Sequence, residues 1–272
     1  MKKVKSIFIA IPVFITHFRA LLKQLLFFSE LQQGKDFVLN KLNGKPLQEI
    51  EIFDIIPSFN EKVEGVTFLE GASTAIDLAF IKGIVKSKKD CDYLEIGSFR
   101  GESLINVLPD CKTATSISLS PSEMAGMNIP SDYIEADYCL VSPNEKLTRI
   151  QHNSLTFDYS SLNKKYDVIF IDGDHSTNGV KTDTKNAMKL LKDESSIIIW
   201  HDCSLSYSDI RYDVIQGIML GTTNEQFSNF YRVRNTLCGI YKNNSKPSVI
   251  QKNVHIPNKT FNVSIDLKQR QD

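Results

Sequence analysis

The sequence predicts an α/β domain built on a mainly parallel sheet, and three observations carry that expectation. From about residue 73 onward, strand-like runs alternate with helix-period segments. Two of the runs, around Val168-Ile-Phe-Ile171 and Ile197-Ile-Ile-Trp200, are apolar throughout, as buried strands are. A glycine-containing turn at residues 97–101 follows a short strand and opens a helix.

Taken in order, residues 73–88 read as a helix, with Ala75, Ile76, Leu78, Ala79, Ile81, Ile84 and Val85 apolar. Tyr93–Ile96 is the first strand of this unit, and the helix after its turn carries Leu104, Ile105 and Val107. A second strand is expected over 113–119. Either 132–136 or 147–151 supplies a further one. A strand over 167–171 leads into a helix over 178–191, followed by the strand 196–200. The chain then gives a helix over 210–220 and two strands, 230–233 and 236–241, joined by a tight turn at Arg234-Asn235. The organisation expected is a helical, partly amphipathic extension over 1–60, a main domain over 61–245 and a polar tail over 246–272, with Pro57-Ser-Phe-Asn60 marking the first boundary.

A chain of 272 residues buries one sizeable core with room for a modest appendage. The 32 basic and 32 acidic residues balance, which argues against nucleic acid as a partner, since a duplex binder carries a basic excess. The five cysteines are scattered, with no metal or disulfide spacing, and read as reduced thiols filling the core of a cytoplasmic protein. At the N-terminus, Lys2, Lys3 and Lys5 precede the apolar run Ile7–Ile15, without a small-residue cleavage site. The pattern from Phe18 is amphipathic, with Leu21, Leu22, Leu25 and Leu26 on one face and Arg19 and Lys23 off it. A helix packed on protein or a peripheral membrane contact through residues 1–30 both fit, and a homo-oligomer remains open.

The chemistry concentrates at three strand ends. In Glu95-Ile-Gly97-Ser-Phe-Arg-Gly101 the glycines permit close backbone approach, and the acidic strand end suits a cationic ligand better than a diphosphate. Asp172-Gly-Asp174-His175 ends one buried strand, and His201-Asp202 ends the next. Carboxylates there line the crevice where open α/β sheets bind ligands. Three readings of this rim stand open: a Mg²⁺ or Mn²⁺ site on Asp172, Asp174, His201 and Asp202; a metal-free acid–base site using Asp172, His175 and His201; or helix capping alone, above all by Asp174. Arg211 is a candidate clamp for an anionic part of the substrate, and Arg232 and Arg234 read as hairpin surface charges.

The order and spacing of YLEIGSFRG (93–101), VIFIDGDHSTNGVKTDTKNAMKLL (168–191) and IIIWHD (197–202) resemble bacterial class I S-adenosylmethionine (SAM)-dependent methyltransferases. The resemblance implies a Rossmann-like, doubly wound, seven-stranded sheet with a reversed last strand, and SAM over the first strand's carboxyl end. It assigns Glu95, Gly97, Ser98 and Gly101 to the cofactor, with Ser118 near the ribose, Asn153 and Ser154 near the adenine, and Asp172 facing the methyl donor. It places a divalent cation, where present, on acids at the ends of the fourth and fifth strands. The sequence departs from that pattern at Ser118, where relatives carry an acid that Glu123 would have to replace, at Asn153, and at His201. The implied activity is O-methylation of a small molecule or sugar. The alternatives are a SAM-fold binding or scaffold protein without turnover, and a metal-dependent hydroxylase or hydrolase.

Overall fold

A computed structural model describes residues 16–249 and 259–268, so the lysine-rich start and the apolar run to Ile15 lie outside it. The sheet has eight strands: β1 (Glu49–Ile50), β2 (Cys91–Ile96), β3 (Cys111–Ser118), β4 (Leu147–Gln151), β5 (Val168–Ile171), β6 (Ile197–Trp200), β7 (Phe230–Val233) and β8 (Gly239–Tyr241). They lie in the order β1-β7-β8-β6-β5-β2-β3-β4. Every neighbouring pair is parallel except the two that involve β8, which runs against both β6 and β7. The reversed last strand is therefore present.

Seven strands were expected, and the eighth is β1, which comes from the N-terminal extension. It pairs with β7 in the register Glu49↔Arg232. Glu49 explains the pairing: its two oxygens accept from Arg232 Nη1 at 2.8 Å and Arg234 Nη1 at 2.9 Å. Arg232 is buried and also donates to Ser204 Oγ at 3.0 Å. The expectation of a surface charge is thus corrected for Arg232, because an edge strand brought from 183 residues away covers it, whereas Arg234 stays partly exposed. Of the two candidate segments after β3, 147–151 is the strand, whereas Ser131–Ala136 is a short helix behind Pro130.

Alternation along the strands splits the core in two. Tyr93, Val168, Phe170, Ile197 and Ile199 face one side, covered by α3 (Ala75–Lys86) and α4 (Glu102–Val107). Leu94, Ile96, Ile169, Ile171, Ile198 and Trp200 face the other, under α7 (Thr177–Lys189) and α8 (Tyr212–Gly221). A sheet covered on both faces needs apolar residues at every strand position, hence the uninterrupted runs in the sequence. The remaining helices are α1 (Phe18–Lys41), α2 (Ile52–Ile55), α5 (Pro121–Gly126), α6 (Ser131–Ala136) and α9 (Asn224–Phe227). The second half of α1 docks on α8 through Gly34 and Val38; a Cβ on Gly34 would lie 2.8 Å from the Tyr212 carbonyl. Cys91, Cys111, Cys203 and Cys238 are buried core filler.

Candidate functional site

The site is assembled where the strand ladders run on into loops at the carboxyl edge of the sheet. Gly97 N–H donates to Ile117 O, Asp172 N–H to Ile96 O, His201 N–H to Ile171 O and His152 N–H to Ser118 O, at 2.7–3.0 Å. These bonds hold the loops after β2, β3, β4, β5 and β6 side by side. Gly97 (φ 85°) and Gly101 (φ 87°) occupy left-handed backbone that side chains disfavour. A Cβ at Gly97 would sit 2.2 Å from Asp172 O, and one at Gly101 2.1 Å from Val141 Cγ2. The first glycine therefore lets the β5 loop close on the β2 loop.

Glu95 is fully buried and turned into the protein. It accepts from Tyr93 Oη at 2.5 Å and Ser103 Oγ at 2.8 Å. Burial pushes its carboxyl up to about 7, against the pull of those hydroxyls. Ser98 heads a row of hydroxyls: Ser98 Oγ lies 2.5 Å from Ser116 Oγ, Ser116 bonds the phenol of Tyr138, and Ser118 Oγ donates to that phenol at 3.1 Å. Tyr138 is buried at φ 55° with the Arg149 guanidinium 3.4 Å from its ring centre. Nothing in its loop sequence marks it.

Glu123 does reach the neighbouring loop, but to brace it. Its carboxylate closes a capping box with Ser120 and accepts from Asn153 N–H at 3.1 Å. Asn153 Oδ1 accepts from Leu155 N–H at 3.0 Å, so the oxygen expected to meet an adenine closes a turn instead. Ser154 donates to the buried Asp183 at 3.3 Å, whose carboxyl burial pushes up to about 7.

At the rim, His201 is the centre of an ion cluster. Its Nε2 lies 3.3 Å from Asp77 Oδ2, and its Nδ1 lies 3.2 Å from Asp172 Oδ1 and 3.4 Å from Asp202 Oδ1. Burial alone would lower its pKa, but Asp172 and Asp77 outweigh that and hold it well above the usual histidine range. Both nitrogens of His201 face carboxylates, and the set whose ligand atoms converge leaves it out. Asp77, fully buried, was not singled out in the sequence. It is the N3 residue of the α3 capping box with Thr74, and Leu237 N–H also donates to it at 2.9 Å. The Thr74-x-x-Asp77 spacing signals the cap, but not the reach to a strand end 124 residues later.

Asp174 turns back on its own loop, accepting from Ser176 N–H at 2.9 Å and Ser176 Oγ at 2.8 Å, and lies against Gly179. The cap of α7 is Ser176, whose Oγ accepts from Gly179 N–H at 3.1 Å, so Asp174 braces the cap and does not itself supply it. His175 remains partly exposed, with Nε2 3.2 Å from Asp202 Oδ2. Arg211 Nη1 also reaches Asp202 Oδ2 at 3.1 Å, while its Nε bonds Asp213 at 3.3 Å. The group that brings ligand atoms within 4.8 Å of one another is Asp172, His175 and Asp202. Above the glycine loop, Phe99 stacks on Tyr133 with ring centres 3.9 Å apart, and the Arg100 guanidinium lies 4.3 Å from the Phe99 ring.

Residues 94–203 match a family model described as a methyltransferase domain. No curated protein sequence matches the chain. Among solved structures, an O-methyltransferase from Bacillus cereus in complex with SAH aligns with 78% of this chain and 88% of its own, at 16% identity and a TM-score of 0.42. An O-methyltransferase family protein from Burkholderia thailandensis covers 48% of this chain at 12% identity and a TM-score of 0.34. DesVI from Streptomyces venezuelae covers 47% at 13% identity and a TM-score of 0.32. The chain spans 38% of the Burkholderia protein and 50% of DesVI.

Proposed function

We propose, from the match of residues 94–203 to a methyltransferase-domain model, that the chain moves a methyl group from SAM to a hydroxyl of a small molecule or sugar. The observation that carries this reading is the contact between Gly97 and the β5 loop. The missing Cβ brings the glycine turn against Asp172, so a donor held on the turn lies beside an acceptor held at the rim. Two features suit the donor. The hydroxyl row Ser98–Ser116–Tyr138–Ser118 offers partners for a ribose, and the buried Arg100, paired with Glu102 at 3.6 Å, has no hydrogen-bond acceptor for Nε among the described residues, which suits an amino-acid carboxylate.

SAM supplies an electrophilic methyl on a sulfonium. The chain's part is to align the acceptor oxygen with that methyl, exclude water and take one proton; alignment alone supplies about 7–11 kcal/mol. His175 is the group for the proton. Asp202 holds its Nε2–H, leaving Nδ1 as the base, while His201 holds Asp172 and Asp202 in place. With SAM bound, the hydroxyl proton would pass to His175 Nδ1 as the acceptor oxygen took the methyl, leaving a neutral thioether.

A second reading rests on the donor set of Asp172, His175 and Asp202. Two carboxylates and an imidazole suit Mg²⁺ or Mn²⁺, which would lower the pKa of the acceptor hydroxyl. Asp172, His175 and Asp202 would hold the ion, and His175 would then be a ligand and not the base. Thermal unfolding with S-adenosylhomocysteine tests the premise: ligand at 100 times its dissociation constant adds about 2.7 kcal/mol. Absence of any shift at saturating ligand leaves a non-catalytic scaffold as the better reading. A further shift with Mn²⁺, abolished by His175→Ala, selects the metal-assisted route.

A further inference from the structure

We propose that the first half of α1 is a membrane-docking element that seats on an anionic lipid surface. Helix α1 runs over 24 residues, yet its buried positions, Gly34 and Val38, lie only in its second half. Ahead of them Leu25, Leu26 and Phe28 stand 63%, 57% and 59% exposed, with Leu22 exposed beside them. At 3.6 residues per turn these four fall on one continuous arc, and Arg19 and Lys23 flank its edge. Exposed Leu and Phe at this density on one helix face are a contact surface.

Charge selects lipid over a second copy of the chain. Lys2, Lys3, Lys5, Arg19 and Lys23 are the charged residues before Glu30, giving a net charge of +5 over 29 residues in a chain whose total is zero. Two copies meeting through this segment would bring like charges together, whereas an anionic headgroup layer attracts each of them. Among the described residues no helix is long and apolar enough to cross a membrane, so α1 lies along the surface. The element is also coupled to the rim. Gly34 packs on the backbone of Tyr212, and the neighbouring Arg211 bonds Asp202. Leu25 and Gly34 are separated by about 14 Å along the helix.

Co-sedimentation of the full chain with vesicles tests this. Binding is expected to phosphatidylcholine vesicles containing about a quarter phosphatidylglycerol, and to be at least about tenfold weaker to phosphatidylcholine alone or in high salt. The double variant Leu25→Glu/Leu26→Glu is expected to lose binding by more than about tenfold with an unchanged melting temperature, because both side chains are in solvent. Arg19→Gln/Lys23→Gln is expected to weaken binding to anionic vesicles while leaving the weak binding to neutral ones unaltered. Unchanged vesicle binding by the Leu25/Leu26 variant overturns the proposal. So does a wild-type dimer in light scattering that the same variant dissociates, with no vesicle binding; that result assigns the arc to a second copy. Neither outcome depends on methyl transfer.

Discussion

His201 and His175 flank one carboxylate, Asp202, in a single ion network and do opposite work. His201 is enclosed by Asp77, Asp172 and Asp202, so removing it leaves three carboxylates without their shared cation. Breaking such a buried pair costs about 3–5 kcal/mol. His201→Leu is expected to lower the melting temperature by on the order of 10 °C, and adding Asp77→Asn recovers part of the loss; a neutral outcome for His201→Leu would remove the cluster from the account of stability. His175→Ala is the contrast. Its side chain is partly in solvent, so stability holds while turnover falls about 10²–10⁴-fold with S-adenosylhomocysteine affinity unchanged. Glu95 makes a third test. Its carboxyl is raised by burial to about 7, above the roughly 4.3 of an unfolded glutamate. The folded state then binds the extra proton, so this group's contribution is complete below the lower value and is lost as pH rises through the upper one. Glu95→Gln removes that slope: the difference in unfolding free energy between variant and wild type should grow in the variant's favour between about pH 4 and 7, and parallel pH profiles would refute the assignment.

At the scale of elements, the loop–strand junctions decide function, and they are where the sequence is read least completely. The strands β5 and β6 were legible because both faces are covered and every side chain is apolar; β2, which carries Asp92 and Glu95, was legible from its place ahead of the glycine turn. Gly97 and Gly101 were legible as a turn. What they clear space for was not: Gly97 admits the backbone of Asp172 and Gly173, a contact between residues 75 apart. Gly97→Ala is expected to destabilise the domain and weaken S-adenosylhomocysteine binding together. Gly126→Ala, with nothing within 4 Å of its added carbon, should alter neither; equal behaviour of the two variants in a melt would count against the close approach. The individual rim residues illustrate the same limit. Asp172, His175 and Asp202 converge as strand-end placement implied, but Asp174 turns back to Ser176, the cap of the following helix. Asp77 and Tyr138 come from segments whose local pattern speaks only of a helix start and a loop, since a long-range partner leaves no mark on its neighbours in sequence.

For the whole molecule, the extension and the main domain share one sheet. The carboxylate of Glu49 ties β1 to the buried Arg232. Glu49→Gln keeps the shape while removing the charge, and should cost about 3 kcal/mol through the unpaired guanidinium, read as a shift in denaturant midpoint. An effect within a few tenths of a kcal/mol would show that Ser204 alone satisfies Arg232. Sequence reading drew the boundary at residue 60 because a two-residue strand, Glu49–Ile50, carries too short a pattern to register.

That early strand also places a clock on the birth of the protein. Its partner emerges from the ribosome 183 residues later, an interval of roughly 10–40 s at ordinary rates of translation. Throughout it, Ile50 has no strand to lie against, and a nascent chain holds its first sheet residues in waiting. The sheet edge is therefore among the last parts to close, and a chaperone that shields residues 49–52 during synthesis would act on the very segment whose docking completes the fold.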